Sequence, residues 1–255
     1  MLGRDDKMKL NRIISIVTAA VIMLSLMTVN VFAADDKEGS LLNKIVNAIT
    51  DVGKDEEEGY KSPVDFEYYQ KKNPDVCAWL EIPGTDIDHP ILQNPDDDEY
   101  YSRRSWNKKK SSKGSLFTQA TYNSTDFSDP VTIIYGHRTN DGSMFGQLQK
   151  TYSDSKTFKS SNEIIIYLPD KEYHYKVFAA LPYGNEHILY NYDFSRLRMR
   201  QAFFDTVFSA SGVGVNINED NYSDDKDGIV ILSTCLRGNN NKRYLVLAQL
   251  TKKVD

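Results

Sequence analysis

Between residues 77 and 250 the chain carries eight short segments that are rich in β-branched and aromatic side chains. Clusters of Gly, Pro, Asn and Asp separate these segments, and such residues favour turns. Short strands bounded by turns are typical of an all-β barrel or sandwich. The predicted strands are residues 77–82, 87–93, 115–118, 131–135, 163–168, 172–181, 228–234 and 244–250.

Helical patterns interrupt the strands in two places and precede them in one. Residues 143–152 follow the fourth strand, and residues 194–211 lie between the sixth and seventh strands with apolar side chains at helical spacing. That spacing predicts a helix packed on the core. Ahead of the first strand, SPVDFEYYQKKNPD predicts a short helix with Pro63 in its first turn and Pro74 beyond its end.

Charge and residue spacing exclude several classes of function. The net charge of −5 argues against a nucleic-acid groove. The four histidines and two cysteines show no zinc-ligand spacing. The glycines match neither the dinucleotide fingerprint nor the P-loop. The sequence therefore predicts no metal site and no cofactor.

The N-terminal residues predict where the protein lies relative to the cell membrane. Basic residues in MLGRDDKMKLNR precede residues 13–33, an uncharged run that is long enough to cross a bilayer. The positive charges would then stay on the cytoplasmic side. We expect a single-pass membrane protein with the rest of the chain outside the cell. The sequence VFAA at 31–34 resembles a cleavage site, so secretion after cleavage near Ala33 is the alternative.

Three regions follow from these patterns. Residues 1–33 are the predicted anchor or signal peptide. Residues 34–62 form an acidic linker, which contains a helical segment after Ser40 and the charged spacer GKDEEEGYKS. The globular domain is predicted to be residues 63–255.

Cys235 ends the seventh predicted strand in the sequence DGIVILSTC, and Cys77 is the other cysteine of the chain. Cysteines outside the cell usually pair, so a disulfide between the two is one alternative. We favour a free, reactive thiol at the tip of a strand, because the chain is poor in cysteine. Cys77 begins the predicted core strand 77–82, before Ala78-Trp79-Leu80, and fits the role of a small hydrophobe.

A reactive thiol needs an acid or base as partner and a donor that stabilises the oxyanion. His137 follows an apolar strand and a glycine, which is the same strand-tip placement as that of Cys235. A hairpin after Cys235 would bring Arg243, at the start of the last strand, beside the thiol. Its guanidinium fork suits a developing oxyanion. Arg237 lies in the turn and is expected to face solvent.

These motifs resemble those of the sortase family, and of its class B in particular. The family signature is a strand that ends in T-L-x-T-C, and residues 231–235 read ILSTC, with Ile231 in place of the usual Thr. The similarity covers about residues 63–250, and KTY at 150–152 has one residue more than the usual K-Y. The further similar segments are YGH (135–137), DGSMFGQLQKTY (141–152), NPDVCAWLEIPGTDIDHPILQ (73–93) and GSLF (114–117).

The resemblance implies a mainly β fold. Its expected form is a closed eight-stranded sortase-type barrel with an N-terminal helical extension and a long helix between strands 6 and 7. The resemblance also implies a cysteine transpeptidase that needs no metal or cofactor. Cys235, His137 and Arg243 are then the catalytic residues, and Ser233 and Thr234 line the substrate groove.

The function implied by the resemblance is the anchoring of surface proteins in a Gram-positive cell wall. The substrate would be a secreted protein with a C-terminal NPxTx-like sorting motif, cleaved after Thr. The acceptor would be an amine of peptidoglycan or of its lipid-linked precursor. Two alternatives are a secreted cysteine hydrolase with the same Cys–His pair and a non-catalytic surface-binding module.

Overall fold

The computed structural model of the protein describes residues 60–160, 162–224 and 228–255. The strands are β1 (Val76–Glu81), β2 (Asp88–Leu92), β3 (Leu116–Phe117), β4 (Val131–Tyr135), β5 (Glu163–Tyr167), β6 (Glu172–Tyr183), β7 (Asn216–Ile217), β8 (Ile229–Leu236) and β9 (Asn239–Val254). The α-helices are α1 (Phe66–Lys72), α2 (Leu148–Ser153), α3 (Ser155–Ser160), α4 (Ile188–Asn191) and α5 (Leu197–Phe208). Two short 3-10 helices are Tyr100–Arg103 and Glu219–Asn221.

Eight of these strands form a closed barrel in the order β5-β1-β2-β3-β4-β8-β9-β6, and the pairing of β5 with β6 completes the ring. The pairs β2–β3 and β4–β8 are parallel, whereas the other neighbours in the ring run antiparallel. The short β7 pairs with β6 outside the ring. The prediction of a mainly β fold with a closed eight-stranded barrel is confirmed.

All eight predicted strands are present, and the differences lie at their ends. The last strand continues to Val254 because its polar end pairs with the start of β6, where Lys252 lies opposite His174. The hairpin between β8 and β9 is also tighter than predicted, with a turn at Gly238 that has φ 83°. The sequence analysis missed β7, because two residues are too few to show a period.

The helices are shorter than predicted. The helix expected at 143–152 begins only at Leu148, because Gly142 and Met144 have φ values of 84° and 50°, which no helix accommodates. Pro63 lies before α1, and the side chain of Asp65 caps that helix by accepting a hydrogen bond from the Tyr68 N–H at 2.9 Å. The long helix between strands 6 and 7 is present as α5.

Both faces of the barrel wall are buried at β8. Val230 and Leu232 belong to the cluster inside the barrel, whereas Ile229 and Ile231 pack outside with the apolar face of α5. Successive side chains of a strand alternate between its two faces, which explains the uninterrupted apolar run in this segment. The same alternation places Cys235 on the outer face.

The single-pass localisation expected from the sequence is contradicted. Among the residues that the structure describes, no helix is both long and apolar enough to cross a bilayer. The longest, α5, has 12 residues, whereas a span needs about 20. The predicted anchor at 13–33 and the linker helix after Ser40 lie outside the described residues.

His174 lies at the β5–β6 seam that closes the barrel. Its two ring nitrogens lie 2.9 Å from the carboxylates of Glu163 and Glu172. Burial of the ring lowers its pKa, but the hydrogen bonds and charges of the two carboxylates outweigh burial, so the pKa of His174 is raised. The ring therefore joins β6 to β5 through Glu163, and the two carboxylates favour its protonated form.

We predict that His174→Gln lowers the melting temperature more at about pH 5.5 than at about pH 8.5. A raised folded-state pKa adds stability that is fully present below the unfolded pKa of about 6.5 and is lost as the pH rises through the folded pKa. Thermal denaturation of both proteins across this pH range measures the difference. An equal loss at both pH values would show that the ring acts only through packing.

Candidate active site

Cys235 and Arg243 lie on the neighbouring strands β8 and β9, and His137 lies two residues beyond the end of β4, the other neighbour of β8. Strand β4 pairs with β8 in parallel, and Tyr135 lies opposite Ser233. The Gly136 N–H extends this ladder by donating to the Ser233 carbonyl at 3.1 Å. Two residues beyond this last pair on each chain, a continuation of the same register would set His137 level with Cys235.

Strand β9 brings the arginine to the other side of the thiol. In the antiparallel β8–β9 pair, Arg243 lies directly opposite Cys235. The Arg243 Nη1 donates to the Cys235 Sγ at 3.0 Å. Arg243 sits within β9 rather than at its first residue, because β9 begins at Asn239, which pairs with Leu236 across the turn. His137, Cys235 and Arg243 thus form a row across three strands.

A carbonyl oxygen sets the orientation and tautomer of His137. The Nε2–H of His137 donates to the Ser102 carbonyl at 2.6 Å, and Ser102 belongs to the 3-10 helix Tyr100–Arg103. A carbonyl can only accept, so the proton of the neutral ring resides on Nε2. Nδ1 has no hydrogen-bond partner among the described residues and is left to exchange a proton.

Two glycines allow the backbone to pack closely around this histidine. A Cβ at Gly136 would lie 2.5 Å from Leu116 Cδ2 and 2.6 Å from Phe145 Cδ2. A Cβ at Gly114, where φ is 60°, would lie 2.6 Å from the Ser102 carbonyl oxygen. A larger residue at either position would push the neighbours of His137 out of place.

The row opens into a cavity of about 200 Å³, which we call the catalytic cavity. All five predicted site residues line it, namely Cys235, His137, Arg243, Ser233 and Thr234. Arg237 is exposed in the turn, as expected, and does not line this cavity. The structure therefore brings the predicted residues together.

Several residues of the catalytic cavity were missed by the sequence analysis. The missed residues include Glu99, Ser102, Gln119 and residues 185–188. They come from a 3-10 helix and from loops that carry no motif, and only the closed barrel brings them to the site. His187, which the sequence places in a polar loop, lines the cavity and accepts a hydrogen bond from the Tyr190 N–H at 3.1 Å.

Both cysteines are free thiols, so the structure does not contain the disulfide considered as an alternative. The Cys77 Sγ donates to the Ile91 carbonyl at 3.4 Å. Burial raises the pKa of the Cys77 thiol to about 12, which leaves little reactive thiolate at neutral pH. Among the described residues, no group of three or more His, Cys, Asp or Glu side chains could hold a metal ion.

Residues 80–251 match the family model of the sortase domain. The chain belongs to the sortase family. Sortase B of Listeria monocytogenes is 34% identical over 167 residues, which cover 65% of this sortase and 65% of the relative, just under two thirds of its length. Sortase B of Staphylococcus aureus is 28% identical over 191 residues, which cover 73% of this chain and 75% of the relative.

Solved structures agree with this assignment. The crystal structure of sortase B from B. anthracis matches this sortase with a TM-score of 0.63 and 28% identity, over 73% of this chain and 84% of that chain. The similarity within the family is therefore to class B, as the sequence motifs indicated. The family as a whole consists of cysteine transpeptidases.

We predict that iodoacetamide alkylates one cysteine of the folded sortase at neutral pH, and that this cysteine is Cys235. Cys235 lines the catalytic cavity, whereas Cys77 lines none of the cavities described, donates its thiol to the Ile91 carbonyl and has a raised pKa. Peptide mapping by mass spectrometry identifies the labelled residue, and the unfolded chain, labelled at both cysteines, is the control. Modification of Cys77 in the folded protein would contradict this assignment.

Proposed function

We propose that this sortase cleaves a C-terminal NPxTx-like sorting motif of secreted proteins after Thr. It then transfers the acyl group to an amine of peptidoglycan or of its lipid-linked precursor. The observation that carries the proposal is the row of His137, Cys235 and Arg243 across β4, β8 and β9, which lines one cavity. A nucleophile, a proton carrier and an oxyanion donor are the groups that acyl transfer requires.

In the first half of the reaction, His137 Nδ1 takes the proton of the Cys235 thiol, and the resulting thiolate attacks the Thr carbonyl carbon and forms a C–S bond. The carbonyl oxygen then carries a negative charge. Arg243 is the proposed donor to this oxyanion, because its Nη1 already lies 3.0 Å from the sulphur that bonds the same carbon. Donors that are placed before the charge develops need little reorganisation.

Collapse of this intermediate breaks the C–N bond of the peptide. The leaving amine takes a proton from His137, and Nδ1 is the nitrogen available for it, since Nε2–H is bound to the Ser102 carbonyl. The product is a thioester between Cys235 and the sorting motif. The proposed acceptor amine then attacks the thioester while His137 takes its proton.

Thr234 is the better supported of the two proposed substrate contacts. Its Oγ1 is buried and has no hydrogen-bond partner among the described residues, although the residue lines the catalytic cavity. A buried hydroxyl without a partner costs free energy, and a bound peptide could supply that partner. Ser233 also lines the cavity, and its carbonyl is already bound to the Gly136 N–H.

We predict that Cys235→Ala abolishes both cleavage and transfer, whereas Cys77→Ala retains both. The measurement is product analysis of a fluorogenic NPxTx peptide library, with and without a glycine-terminated peptide as the amine. A product joined to the amine supports transpeptidation. Only a free carboxylate product in the presence of the amine would indicate a hydrolase, and turnover by Cys235→Ala would remove this residue from the mechanism.

We predict that Arg243→Lys lowers kcat/KM for peptide cleavage by about 100- to 1,000-fold, the usual effect of losing one oxyanion donor. An ammonium group keeps the charge but does not reproduce the directed donors of a guanidinium. Arg198→Lys is the matched control, because Arg198 is exposed on α5 and does not line the catalytic cavity. Near-normal cleavage by Arg243→Lys would show that charge alone is required.

A further inference from the structure

The structure contains a separate cavity of about 660 Å³, which we call the loop cavity. It is lined by the segment that follows His137 and by the turn that follows Cys235, including Arg138 and Arg237. The two cavities share no lining residue. His137 lines the catalytic cavity and Arg138, the next residue of the chain, lines the loop cavity, so consecutive residues contribute to the two cavities.

The carboxylates of the loop cavity already have donors. The Gln147 Nε2 donates to Asp86 Oδ2 at 2.5 Å. Asp141 forms an ion pair with Lys113 and accepts a hydrogen bond from the Ser143 Oγ at 2.7 Å. Neither carboxylate is therefore directed at the cations that line the same cavity.

The three cations of the loop cavity are Arg138, Lys150 and Arg237. In the part of the chain that the structure describes, none of them lies within ion-pair distance of a carboxylate. The Nε of Arg138 is buried and has no hydrogen-bond partner there, while its Nη1 donates to Asn140 at 3.3 Å. A buried donor without an acceptor is rare and costs free energy, so the site is suited to an anion.

The proposed reaction requires a second substrate, which is the acceptor amine. His137 protonates the leaving amine in the first half and accepts a proton from the acceptor amine in the second half. The acceptor amine must therefore approach His137 along the path by which the leaving amine departed. The loop cavity is the neighbouring space with unpaired positive charge.

We infer that the loop cavity binds a carboxylate of the acceptor peptide, with Arg138 as its principal ligand. This inference rests on the proposed function and names the part of the site that takes the second substrate. Guanidinium–carboxylate contacts are strong and directional, so they would hold the amine against His137. In the transfer step the amine nitrogen forms the C–N bond, the C–S bond breaks, His137 takes the amine proton and Cys235 leaves as the thiolate.

The test compares two acceptors that differ only at the carboxylate, triglycine and triglycinamide. We expect the wild type to have a KM for triglycine that is at least about fivefold lower than for triglycinamide. Arg138→Gln should abolish this preference, Arg138→Lys should restore part of it, and Arg198→Gln should leave it intact. Arg237→Gln, in the exposed turn, provides a second variant if Arg138→Gln does not fold.

Equal KM values for the two acceptors in the wild type would overturn the inference, as would a preference that survives Arg138→Gln. Cleavage of the sorting peptide without acceptor is measured separately, so failure of the proposed function is distinguished from failure of this inference. Calorimetric titration of the Cys235→Ala protein with triglycine and triglycinamide makes the same comparison without turnover. Equal affinity in that titration also counts against the carboxylate site.

Discussion

The register of β8 against its two neighbours determines where every reactive atom of the site lies. The ladder to β4 levels His137 with Cys235, and the ladder to β9 places Arg243 opposite the thiol. Side chains alternate between the two faces of a strand, so a slip of one residue would turn Cys235 into the barrel interior. The apolar residues on both faces of β8, Val230 and Ile231 among them, make such a slip costly because both faces are packed.

The rest of the site serves to orient groups that this register has already placed. The Ser102 carbonyl holds the His137 ring, and Gly114 allows that carbonyl to come close. Arg243 contacts the sulphur directly. Cys235 and Arg243 thus lie on strands and His137 just beyond the end of one, and the orientation of His137 is supplied by a 3-10 helix and a turn from elsewhere in the chain. Sites built on rigid elements hold their geometry more closely than sites built on loops.

The sequence predicted the strands and the residues at their ends, because these features depend on short local residue patterns. Strand positions followed from alternating and β-branched segments, and Cys235 and His137 stood out because both follow apolar strands. Contacts between distant segments had no local signal, so Ser102 and residues 185–188 were missed. The late start of α2 depends on positive φ at Met144, a residue type that gives no warning of it. The single-pass localisation rested on the N-terminal segment alone, and the helices of the described residues contradict it.

Closure of the barrel also limits how many free backbone groups the sheet offers to an extended polypeptide. An open sheet presents a row of free N–H and C=O groups, to which any unfolded segment can add as a further strand. In the described residues the ring of eight strands is complete, and the added strand β7 is only two residues long. In the described residues, a passing chain therefore finds few free backbone groups to pair with along the ring.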